Sequence, residues 1–196
     1  MSPLGCSVLL VASYLLGAIP FGLLVARLAS GVDVREVGSG NIGANNVRRA
    51  AGSGAGALVL VLDAAKAAAP AALAGGLDPS SSWLPPAAGL AAFLGHCFPI
   101  YLRGRGGKGV ASALGALLIL APHAVGAAVI TFVVVAIVTR VVSAGSLAGS
   151  AVVAVAAWLG GYPSATAIAA TVMALVIVIR HRSNIARLIA GTEPKR

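Results

Sequence analysis

Residues 123–139 of the chain read HAVGAAVITFVVVAIVT, and this stretch decides the class of fold. It contains no Asp, Glu, Lys or Arg, and an apolar run of this order, about 18 residues, is typical of a helix that crosses a bilayer. Comparable apolar runs recur along the whole chain. They cover residues 8–28, 55–76, 84–102, 110–121, 123–139, 146–160 and 164–179. The sequence therefore predicts an all-α integral membrane protein with seven transmembrane helices.

The composition of the 196 residues agrees with this prediction. Hydrophobic residues make up 59% of the chain and charged residues only 10%, whereas a typical soluble domain carries about 25% charged residues. A conventional soluble fold is thereby excluded, and so is a disordered chain, which would have low hydrophobicity. We expect one membrane-embedded domain over residues 1–196. Its two cysteines, Cys6 and Cys97, are far apart and suggest neither a disulfide framework nor a metal site.

The placement of the basic residues predicts the orientation. Lys and Arg residues follow the first, third, fifth and seventh predicted helices, while the connections around Asp78, Pro122 and Gly161 contain none. By the positive-inside rule, the N-terminus lies outside the cell and the C-terminus in the cytoplasm. The formal net charge of +9 thus reflects membrane topology first, and we do not expect nucleic acid as a partner.

The first of three polar segments, residues 37–50, reads VGSGNIGANNVRRA. Its glycines formally satisfy GxGxxG, but a dinucleotide site needs a preceding strand, and here the neighbours are membrane helices. Glycines do let backbone N–H groups converge on a phosphate. The side chains that could add donors or charge are Ser39, Asn41, Asn45, Asn46, Arg48 and Arg49. A phosphate cradle is favoured over the alternative, a basic loop that contacts anionic lipid.

The second segment, residues 95–112, reads GHCFPIYLRGRGGKGVAS. Gly106, Gly107 and Gly109 surround Lys108, and a helix whose positive N-terminus favours anions begins directly afterwards. The segment is not a Walker A loop, because Leu102 stands where that motif needs Gly and Gly109 where it needs Ser or Thr. A positive-inside anchor would explain the arginines, but it explains the glycines around Lys108 poorly.

The third segment, residues 180–193, reads RHRSNIARLIAGTE. If the preceding helix continues, His181 and Asn184 share one face. We expect Arg182 to reach a phosphate, and Arg187 and Lys195 to face lipid headgroups. His181 alone would more often be a structural residue than a catalyst. Three basic segments on one side of the membrane nevertheless predict a site for a ligand with more than one phosphate-like group.

The remaining ionisable residues are less informative. Asp63 and Lys66 lie within a predicted span, three residues apart on one face, and a mutual ion pair explains them at least as well as a catalytic role. His96 is either a residue that supports the site or an interfacial one, and His123 is expected to be structural. No carboxylate cluster suits Mg²⁺, so we expect no metal and no cofactor.

All three segments resemble the signature motifs of the bacterial membrane glycerol-3-phosphate acyltransferases that use acyl-phosphate as donor, the PlsY family. The first motif of that family has the form GSGNxGATNVxR, and this chain has Asn45 where Thr is usual. The second motif has the form GHxFPxxxxFKGGKGVAT, with Gly104, Arg105 and Ser112 as departures. The third, RHRxNIxRLxxGxE, matches without a break from Arg180 to Glu193. The Asn45 exchange puts any hydroxyl-specific role at that position in doubt.

The resemblance implies a seven-span enzyme that transfers a fatty acyl group from acyl-phosphate to the 1-hydroxyl of sn-glycerol 3-phosphate. The products are lysophosphatidic acid and inorganic phosphate, in the first acylation step of phospholipid biosynthesis. The implied partners are the two substrates and membrane lipids, at a site on the cytoplasmic side of the cell membrane. The residues assigned to catalysis are Ser39, Lys108, His181 and Asn184. Those assigned to substrate binding are Gly38, Gly40, Asn41, Gly43, Asn46, Arg49, Gly106, Gly107, Gly109, Arg182 and Glu193.

Other functions remain open on the sequence alone. The HxxxxD signature of acyltransferases with thioester donors is absent, because Tyr101, Ala128 and Ala186 stand five residues after the three histidines. A small phosphate or anion transporter could use the same cradle, but it would need a polar path across the bilayer. A lipid-headgroup phosphotransferase would need an Asp-rich metal motif. The proton acceptor, His181 or the substrate phosphate, also stays open.

Overall fold

The protein is helical throughout the part of the chain that the computed structural model describes, residues 1–195. These residues form ten α-helices and one 3₁₀ turn, and the connection between the second and third helices, residues 31–43, is the longest between two helices. Their bounds are α1 Pro3–Ala18, α2 Phe21–Ser30, α3 Ala44–Ala51, α4 Ser53–Leu77, α5 Leu84–Cys97, a 3₁₀ turn Ile100–Leu102, α6 Val110–Leu120, α7 Pro122–Thr139, α8 Val142–Leu159, α9 Ser164–Arg180 and α10 Arg182–Ile189.

Each of the seven predicted spans overlaps at least one of these helices, but one span has an internal break and another ends early. The first is broken between α1 and α2, because Pro20 has no N–H to continue the helical ladder. The third ends as an α-helix at Cys97 rather than at residue 102. Phe98 precedes a proline, and such residues avoid the helical conformation.

The helices vary in their ability to cross a bilayer. By length and composition, four stretches qualify: Pro3–Ser30 with its internal break, Ser53–Leu77, Pro122–Thr139 and Val142–Leu159. The α9–α10 pair would make a fifth, but it is bent by 60°. Helix α6 has only 11 residues and is short for a bilayer at about 1.5 Å per residue. Seven full crossings and an outward N-terminus therefore stay predictions.

Close backbone contacts hold the helices that flank the polar segments. A Cβ at Gly17 of α1 would overlap the backbone of Ala92 in α5, and a Cβ at Gly115 of α6 would overlap that of Ala64 in α4. Small residues at helix crossings are typical of membrane proteins, in which packing replaces the hydrophobic effect between helices. These contacts fix the C-terminal end of α5 and the start of α6, which bracket the second polar segment.

The third polar segment begins at a bend rather than on a continuous helix. Helix α9 ends at Arg180 and α10 begins at Arg182. The condition under which His181 and Asn184 would share one face, a continuous helix, is therefore not met. Both side chains are still buried, at 2% and 5% exposure, although α9 and α10 meet at an angle of 60°.

Candidate functional site

The second and third polar segments meet through a direct side-chain contact. Nζ of Lys108 donates to Oδ1 of Asn184 at 2.5 Å. The amide of Asn184 in turn donates through Nδ2 to Oε1 of Glu193 at 2.6 Å. A cation, an amide and a carboxylate thus form one chain of hydrogen bonds across two segments that are far apart in sequence.

Three side chains donate hydrogen bonds to the carboxylate of Glu193. Its Oε1 also accepts from the hydroxyl of Ser143 in α8 at 2.6 Å, and its Oε2 accepts from Nε of Arg187 at 2.6 Å. Burial alone would raise the pKa of the Glu193 carboxyl, but the hydrogen bonds from Ser143, Asn184 and Arg187 lower it. The carboxylate is therefore ionised and aligned, and it fixes which way the Asn184 amide points.

Arg180, the last residue of α9, ties the second segment to this cluster. It donates through Nε to the carbonyl of Gly107 at 3.0 Å and through Nη2 to that of Gly106 at 2.5 Å. Its guanidinium also lies 5.5 Å from the ring centre of Phe98. The sequence did not point to Arg180 or Ser143, and it predicted that Arg187 faces lipid headgroups rather than Glu193. For the two arginines, the available signal was their position inside the third motif.

Positive charge is in excess around Lys108. Burial lowers the pKa of its ammonium group to about 8, against the attraction of Glu193, and the charges of Arg187, Arg180 and Arg49 lower it further. Arg49 belongs to the first segment, so all three segments contribute cations to one region. A cluster of like charges with one partner carboxylate is a fitting environment for a bound anion.

The first segment folds around Asn46. Nδ2 of Asn46 donates to the carbonyls of Val34, Val37 and Asn41 at 2.9 to 3.0 Å, and its Oδ1 accepts from the N–H of Ser39 at 3.1 Å. The hydrogen-bonding capacity of this buried amide is therefore used by the loop's own backbone. The expectation that Asn46 offers a donor to the substrate does not fit this geometry, because its protons already have partners.

Other residues of the first segment are more available to a ligand. Ser39, Gly40 and Arg49 are exposed. Asn41 uses Oδ1 to accept from the N–H of Gly43 at 2.8 Å, in a local turn that leads into α3. A Cβ at Gly38 would overlap Oδ1 of Asn46, and the φ of Gly38 is +60°, so glycine is needed there for the loop to close.

The glycines of the second segment have a packing role that the sequence did not indicate. A Cβ at Gly106 would overlap the carbonyl of His96, and one at Gly109 would overlap the ring of Phe93. The loop therefore lies directly on the end of α5. The carbonyls of Gly106 and Gly107 face Arg180. These glycines thus place Lys108 beside the third segment, and an open phosphate cradle is not needed to explain them.

His181 and Arg182 have different surroundings. Nδ1 of His181 lies 2.8 Å from the carbonyl of Ile177, and since a carbonyl only accepts, Nδ1 carries the proton. Burial lowers the pKa of His181 to about 4, so the ring is neutral and its Nε2 is an acceptor. Arg182 is exposed, and its contact with a phosphate stays a prediction, whereas Arg187 bonds to Glu193.

Comparisons with known proteins show which family the chain resembles. A family profile described as glycerol-3-phosphate acyltransferase matches residues 7–191. A glycerol-3-phosphate acyltransferase of Myxococcus xanthus (strain DK1622) is 49% identical over 188 residues, which are 95% of this chain and 97% of that protein. One from Anaeromyxobacter sp. (strain Fw109-5) is 47% identical over 192 residues, 96% of this chain and 95% of that protein.

Solved structures extend the similarity to the fold. The crystal structure of PlsY (YgiH), an integral membrane glycerol 3-phosphate acyltransferase, in its glycerol 3-phosphate form aligns with a TM-score of 0.93 at 38% identity. The alignment covers 98% of this chain and 96% of that one. The lysophosphatidic acid form aligns with a TM-score of 0.91 at 37% identity, covering 97% and 95%. The chain therefore belongs to the PlsY family of integral membrane glycerol-3-phosphate acyltransferases.

Proposed function

We propose that the protein transfers a fatty acyl group from acyl-phosphate to the 1-hydroxyl of sn-glycerol 3-phosphate. The observation that carries the proposal is the contact of Lys108 with Asn184, around which cations of all three segments gather. Both proposed substrates carry a phosphate group. A positive, partly buried cluster suits two such anions, and the apolar helices suit the acyl chain of the donor.

The roles of individual residues follow from their partners. Lys108 and Arg49 bind phosphate oxygens, with Arg187 and Arg180 supplying charge nearby. Ser39, together with the backbone around Gly38 and Gly40, binds a second group of oxygens on the first loop. Asn184 and Glu193 hold the Lys108 ammonium in place. Arg182 lies outside this cluster.

The reaction needs little covalent help from the protein, because phosphate is a good leaving group. The hydroxyl oxygen of glycerol 3-phosphate forms a bond to the acyl carbon, and the acyl carbon–oxygen bond to phosphate breaks. Phosphate leaves with that electron pair, and the hydroxyl proton passes to Nε2 of His181 or to a substrate phosphate oxygen. Positioning of the two anions and stabilisation of the developing oxyanion by the cations account for catalysis.

The membrane arrangement is part of the same proposal. Seven helical segments cross or enter the bilayer, with the N-terminus outside, the C-terminus in the cytoplasm and the site on the cytoplasmic side. This orientation is supported by the basic residues, which follow alternate helical segments. It would bring the site to water-soluble glycerol 3-phosphate while the donor chain stays in the bilayer of the cell membrane.

A direct assay tests the proposal. Purified protein in detergent or lipid is given glycerol 3-phosphate with acyl-phosphate, and lysophosphatidic acid and phosphate are measured. We expect both products in equal amounts, and no product when acyl-CoA replaces acyl-phosphate. Folded protein that forms product only from the thioester would overturn the donor assignment. Phosphate flux into liposomes without lipid product would support a transporter instead.

A further inference from the structure

A second polar cluster lies inside the helical bundle, apart from the proposed substrate contacts. Asp63 and Lys66 of α4 and His96 of α5 are 2%, 4% and 3% exposed. Nζ of Lys66 lies 2.8 Å from Oδ1 of Asp63, so the ion pair expected from the sequence is present. Nδ1 of His96 lies 3.4 Å from the same carboxylate oxygen.

The cluster joins several elements that surround the site. Nζ of Lys66 also donates to the carbonyl of Ile19 at 2.8 Å, at the break between α1 and α2. The hydroxyl of Ser112 in α6 donates to the backbone carbonyl of Asp63 at 2.9 Å. Buried ion pairs stabilise proteins weakly, because desolvation offsets their attraction. Stability alone is therefore a poor reason for charges at this depth.

His96 connects the cluster to the second polar segment. The peptide N–H of Gly107 donates to the carbonyl of His96 at 3.1 Å. On the side-chain edge, Nε2 of His96 lies so close to Gly107 that a Cβ there would overlap it. The next residue is Lys108, and the carbonyl of Gly107 accepts from Arg180. The imidazole thus lies between the Asp63 carboxylate and the backbone that carries Lys108.

We propose that His96, oriented by Asp63, is a positioning residue. It sets the distance between the Gly107–Lys108 backbone and helix α5. An oxygen of the Asp63 carboxylate faces Nδ1 of the ring at 3.4 Å, and the opposite edge of the ring supports Gly107. Lys66 neutralises Asp63 and anchors it to the α1–α2 break. None of the three side chains contacts substrate in this account, which rests on the proposed role of Lys108 in phosphate binding.

Two matched double variants separate this role from simple stabilisation. Asp63→Leu/Lys66→Met and Asp63→Asn/Lys66→Met both remove the buried charges. They differ in whether residue 63 presents an oxygen to Nδ1 of His96. We expect similar thermal unfolding of both variants, but a kcat/KM roughly 10- to 100-fold lower for the Leu variant than for the Asn variant, as small misplacements of reacting groups produce.

The outcomes are distinct. Equal kcat/KM in two folded double variants, high or low, would overturn the proposal, because the oxygen facing His96 would then not matter. The affinity of the same proteins for glycerol 3-phosphate is also measured by calorimetry, which needs no acyl donor. If wild-type protein binds glycerol 3-phosphate but does not use acyl-phosphate, the proposed function fails while the positioning role is still tested through that affinity.

A second pair of variants covers the case in which the Leu variant does not fold. Gly107→Ala introduces a methyl group against His96, and His96→Ala makes room for it. We expect Gly107→Ala to lower glycerol 3-phosphate affinity at least tenfold in the wild-type background and by less than about threefold in the His96→Ala background. The same loss in both backgrounds would show that the ring does not support Gly107, and would contradict the proposal.

Discussion

The first polar segment and the pair formed by the second and third segments are similar in residue types, yet their amides are used differently. In the first segment, Asn46 bonds only to the backbone of its own loop. In the other two, Asn184 joins Lys108 to Glu193 across 76 and 9 residues of chain. A pattern of Gly and Asn therefore does not show whether a side chain shapes its own loop or contacts a cation of another segment. The hydrogen-bond partners of each amide show which of these two roles it has.

The largest effect should come from the cross-segment contact itself. Replacing Lys108 by Met keeps much of the side-chain volume and removes the charge, so kcat/KM with acyl-phosphate should fall about 10²- to 10³-fold, as for other groups that stabilise a transition state. Arg105→Met removes an exposed charge from the same loop and serves as the control, with a rate close to wild type. Similar losses in the two variants would mean that only the general positive field matters.

The next effect concerns the first segment. Asn46→Ala would leave three carbonyls and one N–H without their partner, and each unsatisfied buried group costs about 1–3 kcal/mol. We expect a lower melting temperature and a rise in KM of about tenfold or more. Asn46→Asp keeps the acceptor for Ser39 but points a carboxylate at carbonyls, so it should be no better. Wild-type stability in both variants, with activity lost, would instead indicate a direct substrate contact.

The pH dependence should report on the Lys108 side of the comparison. With a pKa of about 8, the ammonium is charged below pH 8 and loses its charge as the pH rises through that value. The kcat/KM profile, which reflects the free enzyme, should therefore fall on the alkaline side near pH 8. In Lys108→Arg any remaining activity should lack this fall, since arginine stays charged. A fall that persists near pH 8 in this variant would assign it to another group.

The smallest effect distinguishes two arginines of α10. Arg187→Met removes a hydrogen bond to Glu193 and should lower kcat/KM severalfold. Arg182→Met changes an exposed residue and should stay within about twofold of wild type, as surface substitutions usually do. The sequence alone suggested the opposite order. A larger loss in Arg182→Met would favour Arg182 as the substrate-binding arginine after all.

Much of the fold could be predicted from the sequence, because apolar runs leave few alternatives to helices. Pro20 and Pro99 even mark where two predicted spans deviate. The apolar runs predict where most helices lie, and the three-residue spacing predicts the ion pair of Asp63 with Lys66. The bend at His181 could not be predicted, since no proline or glycine lies there.

The site was predictable only as a set of segments. The motifs identified Lys108, Asn184 and Glu193 as candidates, but the pairing of Asn184 with both others occurs after the 60° bend between α9 and α10. Arg180 and Ser143 act through contacts with residues 73 and 50 positions away, and no local pattern reports such distances. The role of Asn46 was predicted wrongly because an Asn that stabilises a loop and an Asn that binds phosphate look identical in the sequence.

The second and third segments are expected to work as one unit through Lys108 and Asn184. A double-mutant cycle with Lys108→Met, Asn184→Ala and the combined variant tests it most directly, with kcat/KM for glycerol 3-phosphate as the readout. The structure predicts that the combined loss is close to the larger single loss, because either change already breaks the contact. Losses that multiply, so that the two residues act independently, would contradict the account.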